Sequence, residues 1–255
     1  MKQALVLVAA LAALLAAALF VFRPGGVSPT AQSVAQEPWQ IEALPGGGSR
    51  VFGLVLAAAP GQSSTASHAG SAAAPAASTL ADAQRLLGPS LQIGLLAAGD
   101  EPGTLEAYVD GITAGFVTGK LVLVADLPAD VARVLRARAT GNEPQPSGAR
   151  RYVLTDADRD TALRAPIAGL SFLPSLRLDA TMVAQRFGPP AQRLSAGGQL
   201  HLLYPAQGVV VSLEGKGDEP ARAVIQYVAP ARFDALRRPL LQAQPVGRAA
   251  SASAS

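Results

Sequence analysis

The sequence contains no cysteine. Disulfides, thiolate nucleophiles, cysteine-ligated metals and a lipid-modified cysteine behind a leader are all excluded by that absence, which leaves the redox compartment open. Aromatic residues supply only 5% of the 255 positions while hydrophobic residues supply 49%, so a core here must be built mainly from Leu, Val and Ala. Histidine occurs twice. His68 sits in a tract of Ala, Ser, Gly and Pro with no second ligand nearby in sequence, and it reads as incidental rather than metal-binding. His201 lies between Leu200 and Leu202 in a strand-like run, and no Gly-x-Ser-x-Gly elbow accompanies it. It reads as the polar-face member of an alternating strand rather than as a catalytic base. The net charge of +3 comes from dispersed arginines. The clustered Lys/Arg with interleaved aromatics of a nucleic-acid binder is missing, so no nucleic-acid partner is expected.

What the chain does have begins at its amino terminus. Ala4 to Phe22 is an unbroken apolar run of nineteen residues between Lys2 and Arg23. As a helix it would reach about 28 Å, close to the hydrocarbon thickness of a bilayer. Ser33-Val34-Ala35 has the small-x-small form of a cleavage site but lies far beyond the run. The run length favours an uncleaved single-pass anchor in a bacterial inner membrane, with the bulk of the chain in the periplasm. Secretion to the periplasm after signal cleavage is the alternative. Residues 1–23 form the expected anchor and 24–38 a flexible linker. A first α+β unit is expected over 39–140, carrying a disordered insertion at 57–78, and a second over 141–240. A disordered tail is expected over 241–255.

The second unit is organised by Asp179–Pro230. Asp179 can cap the free amides of a first helical turn, Leu178 and Val183 have staple spacing, and Gly188-Pro189-Pro190 stops the helix. The strand-like runs Ala191–Leu194, Gln199–Tyr204, Val209–Leu213 and Ala223–Val228 follow, separated by glycine-rich turns. The first unit offers the same order. Thr79 and Asp82 have capping-box spacing, Leu80, Ala83 and Leu87 share a face, and Gly88-Pro89 stops the helix one hundred positions before Gly188-Pro189. Upstream, Val51–Leu56 matches Ile167–Phe172. A structural repeat is expected, its mismatch in length absorbed by the low-complexity stretch Ala57–Ser78. Two more helices are expected. One spans Asp126–Ala139, with Val131, Val134 and Leu135 inward and Arg133, Arg136 and Arg138 outward; the other spans Asp156–Leu163. Gly141–Gly148 reads as a loop.

The element Leu-Asp-x-x-x-Val-x-x-x-Phe-Gly-Pro-Pro from Leu178, followed by Leu202-Leu203-Tyr204 and Gly208-Val209-Val210-Val211, resembles the SmpA/OmlA (BamE-like) family of small bacterial envelope lipoproteins. That resemblance covers about fifty residues and departs from the family in lacking the lipobox cysteine. It implies helices against a three-stranded antiparallel sheet, in tandem as in β-lactamase inhibitory proteins. The expected fold class is α+β, with two related strand–helix–antiparallel-sheet units behind an amino-terminal membrane anchor.

Motifs that carry chemistry fail one by one. Asp156-Ala157-Asp158-Arg159-Asp160 has the spacing of calcium-loop acids, but Thr161 and Ile167 stand where that loop requires Gly and Glu. Helix capping is the better account. Gly115–Lys120 is one residue too short for a phosphate loop, and Leu121 replaces its Ser or Thr. No catalytic, cofactor or metal residue is expected. The expected role is a non-enzymatic, protein-binding assembly module, with an envelope protein as partner and His201, Tyr204 and Tyr227 as its candidate surface. A periplasmic hydrolase or a ligand-binding protein with a site assembled from scattered residues is the alternative.

Overall fold

A computed structural model describes residues 32–58 and 75–243. In chain order its strands and helices are β1 (Gln32–Val34), β2 (Glu42–Leu44), β3 (Gly48–Val51), β4 (Leu54–Leu56), α1 (Leu80–Leu87), β5 (Gln92–Ala97), β6 (Thr104–Ala114) and β7 (Val117–Ala125). Then come α2 (Ala129–Arg138), β8 (Gly141–Pro144), β9 (Arg150–Val153), α3 (Asp156–Leu163) and β10 (Ile167–Pro174). The chain closes with α4 (Ala180–Phe187), β11 (Gln192–Ala196), β12 (Gln199–Tyr204), β13 (Val209–Glu214), β14 (Ala223–Val228) and α5 (Asp234–Gln242). The class is α+β, as the sequence implies. One large sheet runs β11-β12-β13-β14-β10-β7-β6-β5-β9-β8, antiparallel throughout, with β1 added in parallel to the far end of β6. Strands β2-β3-β4 form a separate small sheet.

The helices form where the sequence supplies their ends. Thr79 accepts from the Asp82 amide at 3.3 Å while Asp82 accepts from the Thr79 amide at 2.7 Å, which closes a reciprocal capping box on α1. Asp179 accepts from the Met182 amide at 2.7 Å at the start of α4. Glycine ends both helices. Gly88 (φ 73, ψ −170) and Gly188 (φ 86, ψ −176) do not take the left-handed helical conformation. They lie in an extended, positive-φ region that only glycine visits readily.

β10 is the hinge of the architecture. It pairs with β7 on one side and β14 on the other, so that two meanders, β5-β6-β7 and β11-β12-β13-β14, meet across it. All eight of its residues are buried. On the first face of the sheet, α1 and α4 pack over one meander each, contributing Leu80, Ala83 and Leu87 and, from α4, Val183 and Phe187. Between them sits the small sheet, whose two-residue turn Phe52-Gly53 carries positive φ at both positions (52 and 79). It drives the Phe52 ring between Phe172 and Tyr227, with centroids 5.5 and 5.6 Å away. On the second face, α5 lays Phe233, Leu236 and Leu240 over Val124, Leu194, Leu203, Val210 and Val228. Arg232, just before α5, grips Asp126 at the end of β7 with two bonds of 2.7 and 3.1 Å.

Several expectations are corrected. Residues 32–38 are not a linker: β1 pairs with β6, and Tyr227 donates to the Pro38 carbonyl at 2.7 Å. Residues 141–148 are not a plain loop, because β8 pairs with β9 there. Both strands extend the edge of β5, so the chain 141–153 belongs with the first meander rather than opening a second unit. The expected insertion 57–78 is ordered at its margin, where Ser78 exchanges bonds with Val55; residues 59–74 lie outside the described residues. On α2 the buried residues are Ala132 and Leu135, while Val134 is 48% exposed. Arg136 turns back to donate to the Gly99 carbonyl at 2.6 Å and to stack on Tyr152. Residues 241–242 belong to α5, a helix the sequence reading passed over. β4 and β10, matched in sequence, occupy different sheets. The apolar run 4–22 lies outside the described residues, and among those no helix is long and apolar enough to cross a membrane.

Candidate functional site

The three residues expected to face a partner are interior. His201 is 1% exposed, Tyr204 4% and Tyr227 0%, so none of them forms an open surface on this chain. The reason lies in layer count: β12, β13 and β14 are covered by α4 on one face and α5 on the other, so both sides of each strand are buried. His201 is satisfied where it stands, with Nδ1 2.8 Å from Ser212 Oγ and Nε2 3.3 Å from the Ala196 carbonyl. The carbonyl can only accept, so the neutral ring carries its proton on Nε2 and Ser212 donates to Nδ1. Burial lowers its pKa, and the Ala196 carbonyl opposes that shift. His68 lies outside the described residues, and among these no group of three His, Asp or Glu side chains is placed to hold a metal ion. Thr155 caps α3 by accepting from the Asp158 amide at 3.1 Å, and the Asp158 carboxylate accepts from the Thr155 hydroxyl at 2.9 Å and from Arg138 at 3.2 Å. Gly115–Lys120 is a hairpin tip and the start of β7.

The polar groups left over gather on the second face of the first meander, where the α5 cover stops at β7. The alternation of β6 puts Glu106, Tyr108 and Asp110 on that face. The strand register then sets a row across five strands: Gln92 beside Tyr108, Tyr108 beside Val122, Val122 beside Ser171, and Ser171 beside Gln226. Tyr108 donates to Asp110, and Lys120 Nζ lies 2.7 Å from the same carboxylate oxygen. The Lys120 bond, followed by the Tyr108 bond, holds Asp110 below the usual carboxylate range. Burial, reinforced by the Asp110 carboxylate, pushes the Tyr108 phenol far up, so it remains a donor.

Glu106 is different. Its Oε1 is buried without a hydrogen-bond partner, and burial pushes its carboxyl up to about 7. Its cross-strand neighbour is Gly94, over which the Arg151 side chain lies on its way to Gln92 Oε1 at 3.1 Å. A Cβ on Gly94 would come 2.8 Å from Arg151 Nε, so the glycine is what lets the arginine lie flat. At the centre of the sheet Ser171 Oγ and Gln226 Nε2 are also buried without a partner. Chemically, this face offers a carboxyl that changes charge near neutrality, a locked Tyr–Asp–Lys cluster and two unpaired polar groups. It supplies no hydrogen-bonded nucleophile–base pair, since no Ser, Thr or Lys donates to Glu106 among the described residues. Sequence reasoning missed this face. The signal was present in Thr104–Asp110, whose alternation aligns a carboxylate, a phenol and a second carboxylate.

No family model, no curated protein and no solved structure matches this chain.

Proposed function

We propose that this chain is a non-enzymatic protein-binding module, held by residues 4–22 on the outer side of a bacterial inner membrane, that assembles with an envelope protein through the second face of its first meander. The observation that carries the reading is the uneven cover of one continuous sheet. α5 seals the second meander, while Leu96, Glu106, Tyr108, Lys120 and Val122 on the first are only partly buried. A half-open sheet face rich in polar groups over a filled core fits recognition of a partner better than turnover of a substrate. The proposal extends to two degenerate SmpA/OmlA-like units. In support, each meander follows a short helix with a side-chain cap at its start and a positive-φ glycine at its end. Photo-crosslinking in cells tests the binding reading, with the crosslinker at position 92 or 108 and, as control, at the exposed Thr181 of α4. A discrete envelope protein captured from the sheet positions alone is the expected result. Equal capture from all three positions, or none, would overturn it.

One observation favours the alternative of a hydrolase or small-ligand-binding protein: Glu106, with its carboxyl near neutrality, has the protonation behaviour of a general acid or base. A ligand whose binding tracks that titration and is lost in Glu106→Gln would move the assignment to that class.

A further inference from the structure

We infer a membrane-seating surface made of Phe116, Trp39 and Arg186, by which the folded chain rests on an anionic lipid headgroup layer. Phe116 stands at the tip of the β6–β7 hairpin and is 65% exposed. Its ring lies 5.6 Å from that of Trp39, and the Arg186 guanidinium lies over the other ring of the pair, 4.6 Å from the Trp39 centroid. Trp39 is oriented by donation from Nε1 to Glu37 Oε2 at 2.7 Å. Glu37 in turn fits against Gly115, where a Cβ would come 2.6 Å from Glu37 Cγ. Met182, 37% exposed, sits one turn before Arg186 on α4 and extends the apolar margin.

The composition is that of a membrane interface rather than of a sealed core. Tryptophan is amphipathic and prefers headgroup depth, and an exposed phenylalanine beside it can enter the acyl boundary. Stacking occupies the face of the Arg186 guanidinium but leaves its in-plane N–H donors free. No carboxylate among the described residues lies within ion-pair distance of it. A lipid phosphate accepts from such a fork in a bidentate way.

Chain connectivity chooses lipid over other occupants. β1 pairs with Ile112–Ala114, and the Gly115 amide donates to the Val34 carbonyl at 2.9 Å, so the chain enters the fold beside the tip of this hairpin. Only residues 23–31 separate the apolar run from Gln32. Fully extended, that spacer reaches about 30 Å. The surface is therefore confined close to whatever bilayer holds the run. This inference rests on the reading that residues 4–22 hold the chain at a membrane, and the test keeps the two apart.

Trp39 is the only tryptophan in the sequence, so its fluorescence reports on this surface alone. Full-length protein is reconstituted in vesicles of phosphatidylethanolamine and phosphatidylglycerol, with or without bromine on the acyl chains. Alkaline carbonate extraction separately reports anchoring. Roughly twofold quenching of Trp39 by brominated lipid is expected, most of it lost in Phe116→Ser and, at low salt, in Arg186→Gln. Circular dichroism should be unchanged, because both side chains are exposed. Unquenched Trp39 in carbonate-resistant protein would overturn the seat while leaving the anchor standing. Carbonate-released protein that still binds added vesicles and is quenched would overturn the anchor and keep the seat. Trp39 that is unquenched and becomes solvent-accessible only on dilution would identify a second copy as the occupant and overturn the proposal.

Discussion

The two meanders that meet at β10 present the same kind of surface to the second side of the sheet and treat it in opposite ways. Over β11–β14 the polar members of the strands are sealed. His201 bonds Ser212 and the Ala196 carbonyl, and α5 closes the layer with Phe233, Leu236 and Leu240. Over β5 and β6 no described helix covers this side, α5 reaching only Val124 and Val122 of β7, and Glu106, Tyr108, Asp110 and Lys120 stay partly in contact with solvent. The contrast teaches that a polar residue on an alternating strand is no guide to exposure until the number of layers is known. It also locates the part of the molecule free to do something other than fold.

Removing the cover should hurt the second half far more than any comparable change on the open side. Phe233→Ala deletes a buried ring from the α5 layer and is expected to cost about 3–5 kcal/mol, while Val122→Ala at the open margin should cost about 1 kcal/mol or less. Urea denaturation of the two variants checks the difference, and equal losses would mean that the open face is closed. Next in size is the Arg232–Asp126 clamp that positions α5. Asp126→Ala strands a largely buried guanidinium and should lower stability by about 1.5–3 kcal/mol. The lost protection should be confined to α5 and β11 in hydrogen exchange.

Likeness between the halves is probed by their helix stops. Gly88→Ala and Gly188→Ala each put a Cβ into a positive-φ extended conformation, and each should cost about 1–3 kcal/mol by thermal melting. No heavy atom lies within 4 Å of a Cβ at Gly188, so the cost there is conformational rather than a clash. A neutral result at one site and not the other would break the parallel between α1 and α4.

The smallest expected effect separates the two meanders by pH. Glu106 has a carboxyl raised from 4.5 to about 7, so the folded state holds its proton more tightly than the unfolded chain. Its contribution is fully present below pH 4.5 and is lost as pH rises through about 7, a span of about 1–2 kcal/mol after allowing for partial exposure. His201 runs the other way. With its pKa lowered from 6.5, its contribution is present above pH 6.5 and is lost on acidification. Chemical denaturation between pH 5 and pH 8 should therefore show Glu106→Gln gaining on the parent as pH rises. A parallel pair of profiles would place the Glu106 carboxyl in water.

How much of this was legible in the sequence depends on range. α1 and α4 could be read because Thr79 and Asp179 stand at their starts and a glycine ends each, and α3 because Asp156 and Asp158 fill its first turn, all within one turn of the helix concerned. α5 escaped because Pro239 and two arginines, Arg237 and Arg238, interrupt its pattern, although Phe233, Leu236 and Leu240 keep helical spacing. Strands β11 to β14 were found, but β1 and β8 fall where a linker and a loop are expected, and the strands' neighbours could not be read. The pairing of β5 with β9 and of β7 with β10 joins segments whose sequences carry no mark of each other. The error at His201, Tyr204 and Tyr227 followed directly: α5 closes the face that carries His201, while Phe187 and Phe52 cover Tyr204 and Tyr227 on the other face, and neither layer can be read from β12 or β14. Glu106 was visible as an alternating carboxylate, but its desolvation depends on Gly94 and Val124 across two strands.

The small sheet carries a consequence for how the chain acquires its shape. Phe52 enters the core only where Phe172 and Tyr227 already stand, and the hydroxyl that fastens Pro38 belongs to a residue 189 positions later. The first part of the fold to be synthesised therefore has nowhere to dock until nearly the last strand arrives. A topology of that kind concentrates its contacts between distant segments and folds slowly. During synthesis, the earliest ordered segment to emerge would wait, with an unpaired edge and a bare aromatic ring, for a strand near the end of its own fold, and that interval is when a chaperone would be most needed.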